Sequence, residues 1–129
     1  MIWRRVPEFL RELIAMKPTL LALALLSWMA APAFAHAVLQ KSAPAANARV
    51  NSPAHITLHF SEALEPAFSG ALLLDGDGRN VSGAPVKIDG PELVMTPGRL
   101  APGVYHVVWH SVGHDTHRMD GEFSFTVAP

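Results

Sequence analysis

Apolar residues in this chain recur at every second position across three long segments, not at every third or fourth. Ile56, Leu58 and Phe60 alternate with Thr57 and His59; Tyr105, Val107 and Trp109 alternate with His106, Val108 and His110; Phe123, Phe125 and Val127 alternate with Ser124 and Thr126. A period of two turns one side of an extended backbone toward a core and the other toward water, so these segments are half-buried strands and not helices. Shorter apolar runs at 38–40, 71–74, 86–88 and 93–96 supply further strands. Pro44, Pro53, Pro66, Gly76, Gly83, Gly90, Gly98, Gly103 and Gly113 punctuate between them.

About seven short strands with turn signals at this spacing predict an all-β chain, an antiparallel Greek-key β-sandwich of the immunoglobulin-like kind. Residues 63–68 have room for one helical turn at most. The expected core is the inward set of the alternating strands, with Leu93 and, from the run at 71–74, Leu72 and Leu74. The chain has no cysteine, so it can have no disulfide pair, no thiol chemistry and no cysteine-ligated metal.

Ahead of the strands, residues 20–31 form an apolar run too short for a bilayer core, which needs ~20 apolar residues. Arg4, Arg5, Arg11 and Lys17 precede it and Ala33-Phe34-Ala35 follows it, the order of a secretory signal peptide. Residues 1–35 are therefore expected to be a leader cleaved after Ala35. Met16-Lys17-Pro18 would begin a compact signal by itself and is an alternative start. The expected mature domain, residues 36–129, is exported to the periplasm and has no membrane insertion once the leader is gone. It keeps all 7 histidines of the chain and starts at His36. With 10 Lys+Arg against 11 Asp+Glu overall, no basic stripe marks it as a nucleic-acid partner.

The residues with metal-binding chemistry concentrate between Trp109 and Gly121, where His110, His114, Asp115, His117 and Asp120 occur together. Asp115 and His117 are two positions apart, so on an extended backbone both side chains leave one face and could converge on an ion. That spacing alone is a weak signal, since most such triplets are solvated loop residues. A processed terminus at His36 strengthens it, because the free α-amine and ring Nδ1 of one residue together close a chelate ring. Their ordinary pKa values, ~7.7–8.0 and ~6.5, let a metal displace few protons near neutral pH. His117 would add a third nitrogen and Asp115 an oxygen, a tetragonal donor set that favours Cu(II). The competing reading of His36 is a frayed terminus beside a cleavage site.

The other histidines admit two readings each. His114 is either a fourth nitrogen or capture ligand, or a plain loop residue. His55 and His59 share one strand face and His106 and His110 another; these are solvated positions, or an auxiliary Cu(II) or Zn(II) site if the two faces adjoin. Asp75-Gly-Asp-Gly78 has a fragment of a calcium loop but lacks the remaining ligands, and reads as a hairpin turn.

With these segments in view, the mature chain resembles the CopC family of periplasmic copper-binding, copper resistance proteins. The residues that carry the resemblance are His36, the strand Ile-Thr-Leu-His-Phe-Ser-Glu at 56–62, Gly103-Val-Tyr-His-Val-Val-Trp109, Asp115-Thr-His117 and Gly121-Glu-Phe-Ser-Phe-Thr-Val127. The resemblance implies a seven-stranded Greek-key sandwich holding one Cu(II) per mature chain through the amine and ring of His36 with Asp115 and His117, a histidine brace. It implies Glu62 as a weak ligand or a group just behind the ligands. It further implies a non-enzymatic protein that stores copper or passes it to a CopD-like transporter of the inner membrane; a monomer is expected, although the sequence itself leaves the oligomeric state open.

Two positions depart from the family. The stretch 74–83, which in some members carries a Met-rich Cu(I) site, contains no Met, and residues 36–129 hold only Met95 and Met119. A Cu(I) site is therefore expected to be absent. Arg118 stands where the family commonly has Pro. Two other functions remain: a histidine-brace copper oxidase or monooxygenase, and a metal-free sandwich used in adhesion or assembly.

Overall fold

The computed structural model of the chain describes residues 7–8 and 36–129; the expected leader, apart from Pro7 and Glu8, lies outside the described residues. Eight strands follow one another: β1 (Leu39–Ala43), β2 (Arg49–Val50), β3 (Ile56–Phe60), β4 (Gly70–Leu74), β5 (Ala84–Asp89), β6 (Glu92–Thr96), β7 (Gly103–Val112) and β8 (Arg118–Val127). A single 3-10 turn, Pro66–Phe68, sits between β3 and β4. Among the described residues no helix is long and apolar enough to cross a membrane.

The strands form two sheets of four, ordered β1-β3-β6-β5 and β2-β8-β7-β4, and their inward faces make the core. Ile56, Leu58, Phe60, Leu93 and Met95 are completely buried from the first sheet. Leu73, Tyr105, Val107, Trp109, Phe125 and Val127 meet them from the second. The alternation of the sequence is thus the alternation of the sandwich.

Three details differ from the sequence reading. There is one strand more than about seven, because Arg49–Val50 pairs with β8, and it does so in parallel, with Arg49 opposite Thr126. The sandwich is therefore not wholly antiparallel. The register of β4 is also shifted by one: Ala71 and Leu73 face the core, while Leu72 is 47% exposed and Leu74 only half-buried. Pairing with β7 decides this, since Leu73 stands opposite Val107 and Ala71 opposite Trp109, both inward residues. A one-residue slip exchanges every side chain between faces, and three consecutive leucines carry no period of their own. Third, His59 belongs to the first sheet, whereas His106 and His110 belong to the second. Their outward faces lie on opposite sides of the sandwich, so the two pairs do not adjoin and no auxiliary metal site joins them. His55 instead meets Thr96 Oγ1 at 3.2 Å, and His106 meets Glu122 at 3.0 Å.

What positions the candidate site is the long hairpin of β7 and β8, paired without interruption from Gly103 opposite Val127 to Val112 opposite Arg118. Near its tip the Trp109 indole packs against β8 at Gly121, and reaches Phe60 of the other sheet edge-on, with ring centroids 5.3 Å apart. The 75–79 segment is a turn closed on itself: Asp75 Oδ1 accepts the N–H groups of Asp77 and Arg79, each at 2.9 Å.

Candidate metal centre

The tip of the hairpin is a tight turn. The Thr116 N–H donates to Gly113 O at 3.1 Å, and Thr116 itself has φ 63°, a left-handed conformation unusual for a β-branched residue. Asp115 and His117 therefore do not project from one face of an extended strand, as their spacing suggested; a folded turn brings them together. Asp115 Oδ1 accepts the backbone N–H of His117 at 3.2 Å, while Oδ2 stands 3.1 Å from His117 Nδ1.

His36 completes the group from the other end of the domain. Its Nδ1 contacts the same Asp115 Oδ2. The His36 and His117 rings lie edge to face, with centroids 5.0 Å apart and planes at 84°. One donor atom from each of His36, Asp115 and His117 falls within 4.8 Å of the others. Asp115 is the innermost member, its side chain 14% exposed against 47% for His36 and 70% for His117.

Partial desolvation of Asp115 opposes its charged form. Hydrogen bonds from the His36 ring and from the His117 backbone and ring outweigh this, holding the carboxyl below its ordinary value. The result is an anion flanked by two imidazoles, a donor set of nitrogen and oxygen suited to a borderline divalent ion such as Cu(II) or Zn(II).

Two serines, absent from the ligand set read in the sequence, hold the start of the domain. Ser61 Oγ accepts the Val38 N–H at 2.9 Å and donates to His36 O at 3.0 Å. Ser111 Oγ donates to Ala37 O at 2.6 Å, and Ala37 is completely buried. Ser111 did leave a signal: it continues the inward series Tyr105, Val107, Trp109 with a hydroxyl where an apolar side chain belongs.

The remaining candidates stand apart from the trio. Glu62 is half-buried just past the end of β3 and is not a member of it. His114, in the same turn but largely exposed, points its Nδ1 to Glu65 at 3.5 Å. Arg118 places Nε 3.1 Å and Nη2 2.9 Å from Asp120 Oδ1, so its charge is engaged by that carboxylate. Asp120 is correspondingly held below its ordinary pKa, chiefly by the hydrogen bonds from Arg118.

The chain is similar to known proteins over most of its length. The CopC domain profile matches residues 39–128. Copper resistance protein C of Xanthomonas campestris pv. juglandis is 39% identical over 110 residues, covering 78% of this chain and 87% of that protein. The crystal structure of CopC from Methylosinus trichosporium OB3b superposes with a TM-score of 0.68 at 32% identity, over 73% of this chain and 95% of that one. PcoC, described as a methionine-rich copper resistance protein from Escherichia coli, superposes with a TM-score of 0.65 at 37% identity, over 73% of this chain and all of its own length. With a sandwich of this topology and a matching profile over most of its length, the chain belongs to the CopC family of copper-binding, copper resistance proteins.

Proposed function

We propose that residues 36–129, released from the leader by cleavage after Ala35, are a monomeric periplasmic carrier of one Cu(II). The ion is held by the α-amine and Nδ1 of His36, by His117 and by Asp115, and is passed to a copper transporter of the inner membrane. The observation that carries the reading is the convergence of His36 Nδ1 and His117 Nδ1 on a single oxygen of Asp115.

Copper is cargo in this account, and the residues explain both capture and release. Asp115 is already ionised and oriented by the His117 N–H, so binding requires no proton from it. The two imidazoles and the amine must be neutral to bind, so protons compete with the metal and acid favours release. An anionic oxygen among nitrogen donors favours Cu(II) over Cu(I).

The methionines support a domain without a thioether site. Met95 is completely buried in the core and Met119 is partly buried against it. The aromatic residues support a carrier over an oxidase acting on a polymer: Phe60, Tyr105, Trp109 and Phe125 are buried and Phe123 packs on the core, which leaves Phe68 exposed among them. Titration of the protein beginning at His36 with Cu(II), followed by EPR, tests the reading. One saturating equivalent with nitrogen hyperfine structure is the expected result, and no saturable binding at neutral pH would refute it.

A further inference from the structure

We propose that Ser61 and Ser111 are positioning residues of the metal site, which pin His36–Val38 to both sheets at once and so fix how His36 presents its nitrogens. The inference rests on the copper-site reading above.

β1 begins only at Leu39, so the three residues before it precede the β1 ladder. A segment in that place frays unless something ties it down. Here each of its carbonyls is engaged: His36 O accepts from Ser61 Oγ at 3.0 Å, Ala37 O from Ser111 Oγ at 2.6 Å, and Val38 O from the Ser61 N–H at 2.8 Å. The Val38 N–H returns a bond to Ser61 Oγ at 2.9 Å. The Ala37 side chain, completely buried, acts as the peg between them.

The two serines come from different layers. Ser61 directly follows β3 of the first sheet, and Ser111 lies within β7 of the second. Ser111 is also four positions before Asp115, on the strand that carries the metal-binding turn. A short path of hydrogen bonds and backbone thus sets the position of His36 relative to Asp115 and His117.

Ser111 is the buried polar residue among the described residues, at 0% exposure, in a place where the strand pattern calls for an apolar side chain. A buried hydroxyl is retained where it satisfies a specific partner, and its partner is the carbonyl next to the first ligand. Groups that orient ligands typically change metal affinity by ~10–100-fold when removed.

The test compares wild type, Ser61→Ala, Ser111→Ala and Ser61→Thr, all beginning at His36, by competitive Cu(II) titration, EPR and amide hydrogen exchange of the metal-free protein. Both alanine variants are expected to bind Cu(II) about 10-fold more weakly with a shifted EPR spectrum. Ser61→Thr, which keeps the hydroxyl, is expected to behave as wild type. Without metal, the Val38 amide should exchange faster in Ser61→Ala. Ser61 is exposed, so its variant remains informative if Ser111→Ala fails to fold. Wild-type affinity and EPR in Ser61→Ala would overturn the positioning role while leaving the copper site standing. Failure of the wild-type protein to bind Cu(II) would overturn the function itself, and this role with it.

Discussion

The Trp109 indole occupies the space in which Gly121, directly across the hairpin, would otherwise carry a side chain: a Cβ on that glycine would lie 2.2 Å from the ring. The glycine lets the largest core side chain near the turn of Asp115 and His117 span from β8 to Phe60 of the opposite sheet. Gly121→Ala must displace either the indole or the strand. Overpacking of this kind costs about 1–3 kcal/mol, which for a domain of this size is a fall in Tm of at least ~4 °C. Thermal unfolding of the metal-free variant measures it, and an unchanged Tm would mean that the contact yields freely.

Thr116 is held at φ 63° between Asp115 and His117, where its branched side chain is disfavoured and glycine is not. Thr116→Gly is therefore expected to raise the stability of the metal-free protein, by about 1 kcal/mol. It should also loosen the turn that joins Asp115 to His117, so copper affinity should not rise with stability. A variant less stable than wild type in thermal unfolding would count against strain at this residue.

Asp115 links the site to acidity in two ways. Its carboxyl is held below the ordinary value in the folded protein, so its contribution to stability is fully present above the unfolded pKa of ~3.9 and is lost as pH falls through the lower folded value. Carboxyl carbon shifts in an NMR titration should show Asp115 protonating below an ordinary aspartate. Acid should also release copper, because protons compete with the metal for the nitrogen donors. Copper binding that is as tight at pH 5 as at pH 7 would contradict the nitrogen ligands.

Asp115→Asn keeps the shape of the side chain but removes its charge. It should weaken Cu(II) binding by at least ~10-fold, a loss of the size seen when a tuned metal site is altered, without unfolding the sandwich, since the carboxylate lies outside the core. Isothermal titration and circular dichroism together separate the two effects.

How much of this was legible in the sequence follows from what has a period. β3, most of β7 and the second half of β8 show alternation, and the inward residues there could be named in advance, whereas residues 118–121, which form the start of β8, read as part of the loop after Trp109. β4 could not be registered, because Gly-Ala-Leu-Leu-Leu gives both faces the same residue, and only pairing with β7 selects Leu73 over Leu72. β2 is two residues long and recruited by β8, a tertiary event with no local pattern. His36, Asp115 and His117 could be named as candidates from residue types and family resemblance, and their side chains do come together, but the means of their convergence was not readable: a threonine at positive φ opposes local preference, so spacing alone suggested an extended strand. Ser61, just past the end of β3, reads as an ordinary exposed residue until its partners are seen, whereas Ser111 was legible only as a hydroxyl at an inward position of β7.

The central claim is that His36, as the first residue of the mature protein, supplies both its amine and its ring to copper. The most direct measurement compares Cu(II) affinity and EPR of the exported protein, with its first residue established by mass spectrometry, against a form carrying one extra residue before His36. Tight single-equivalent binding by the first form, largely abolished in the second, is the predicted result. Equal binding by both would contradict the claim.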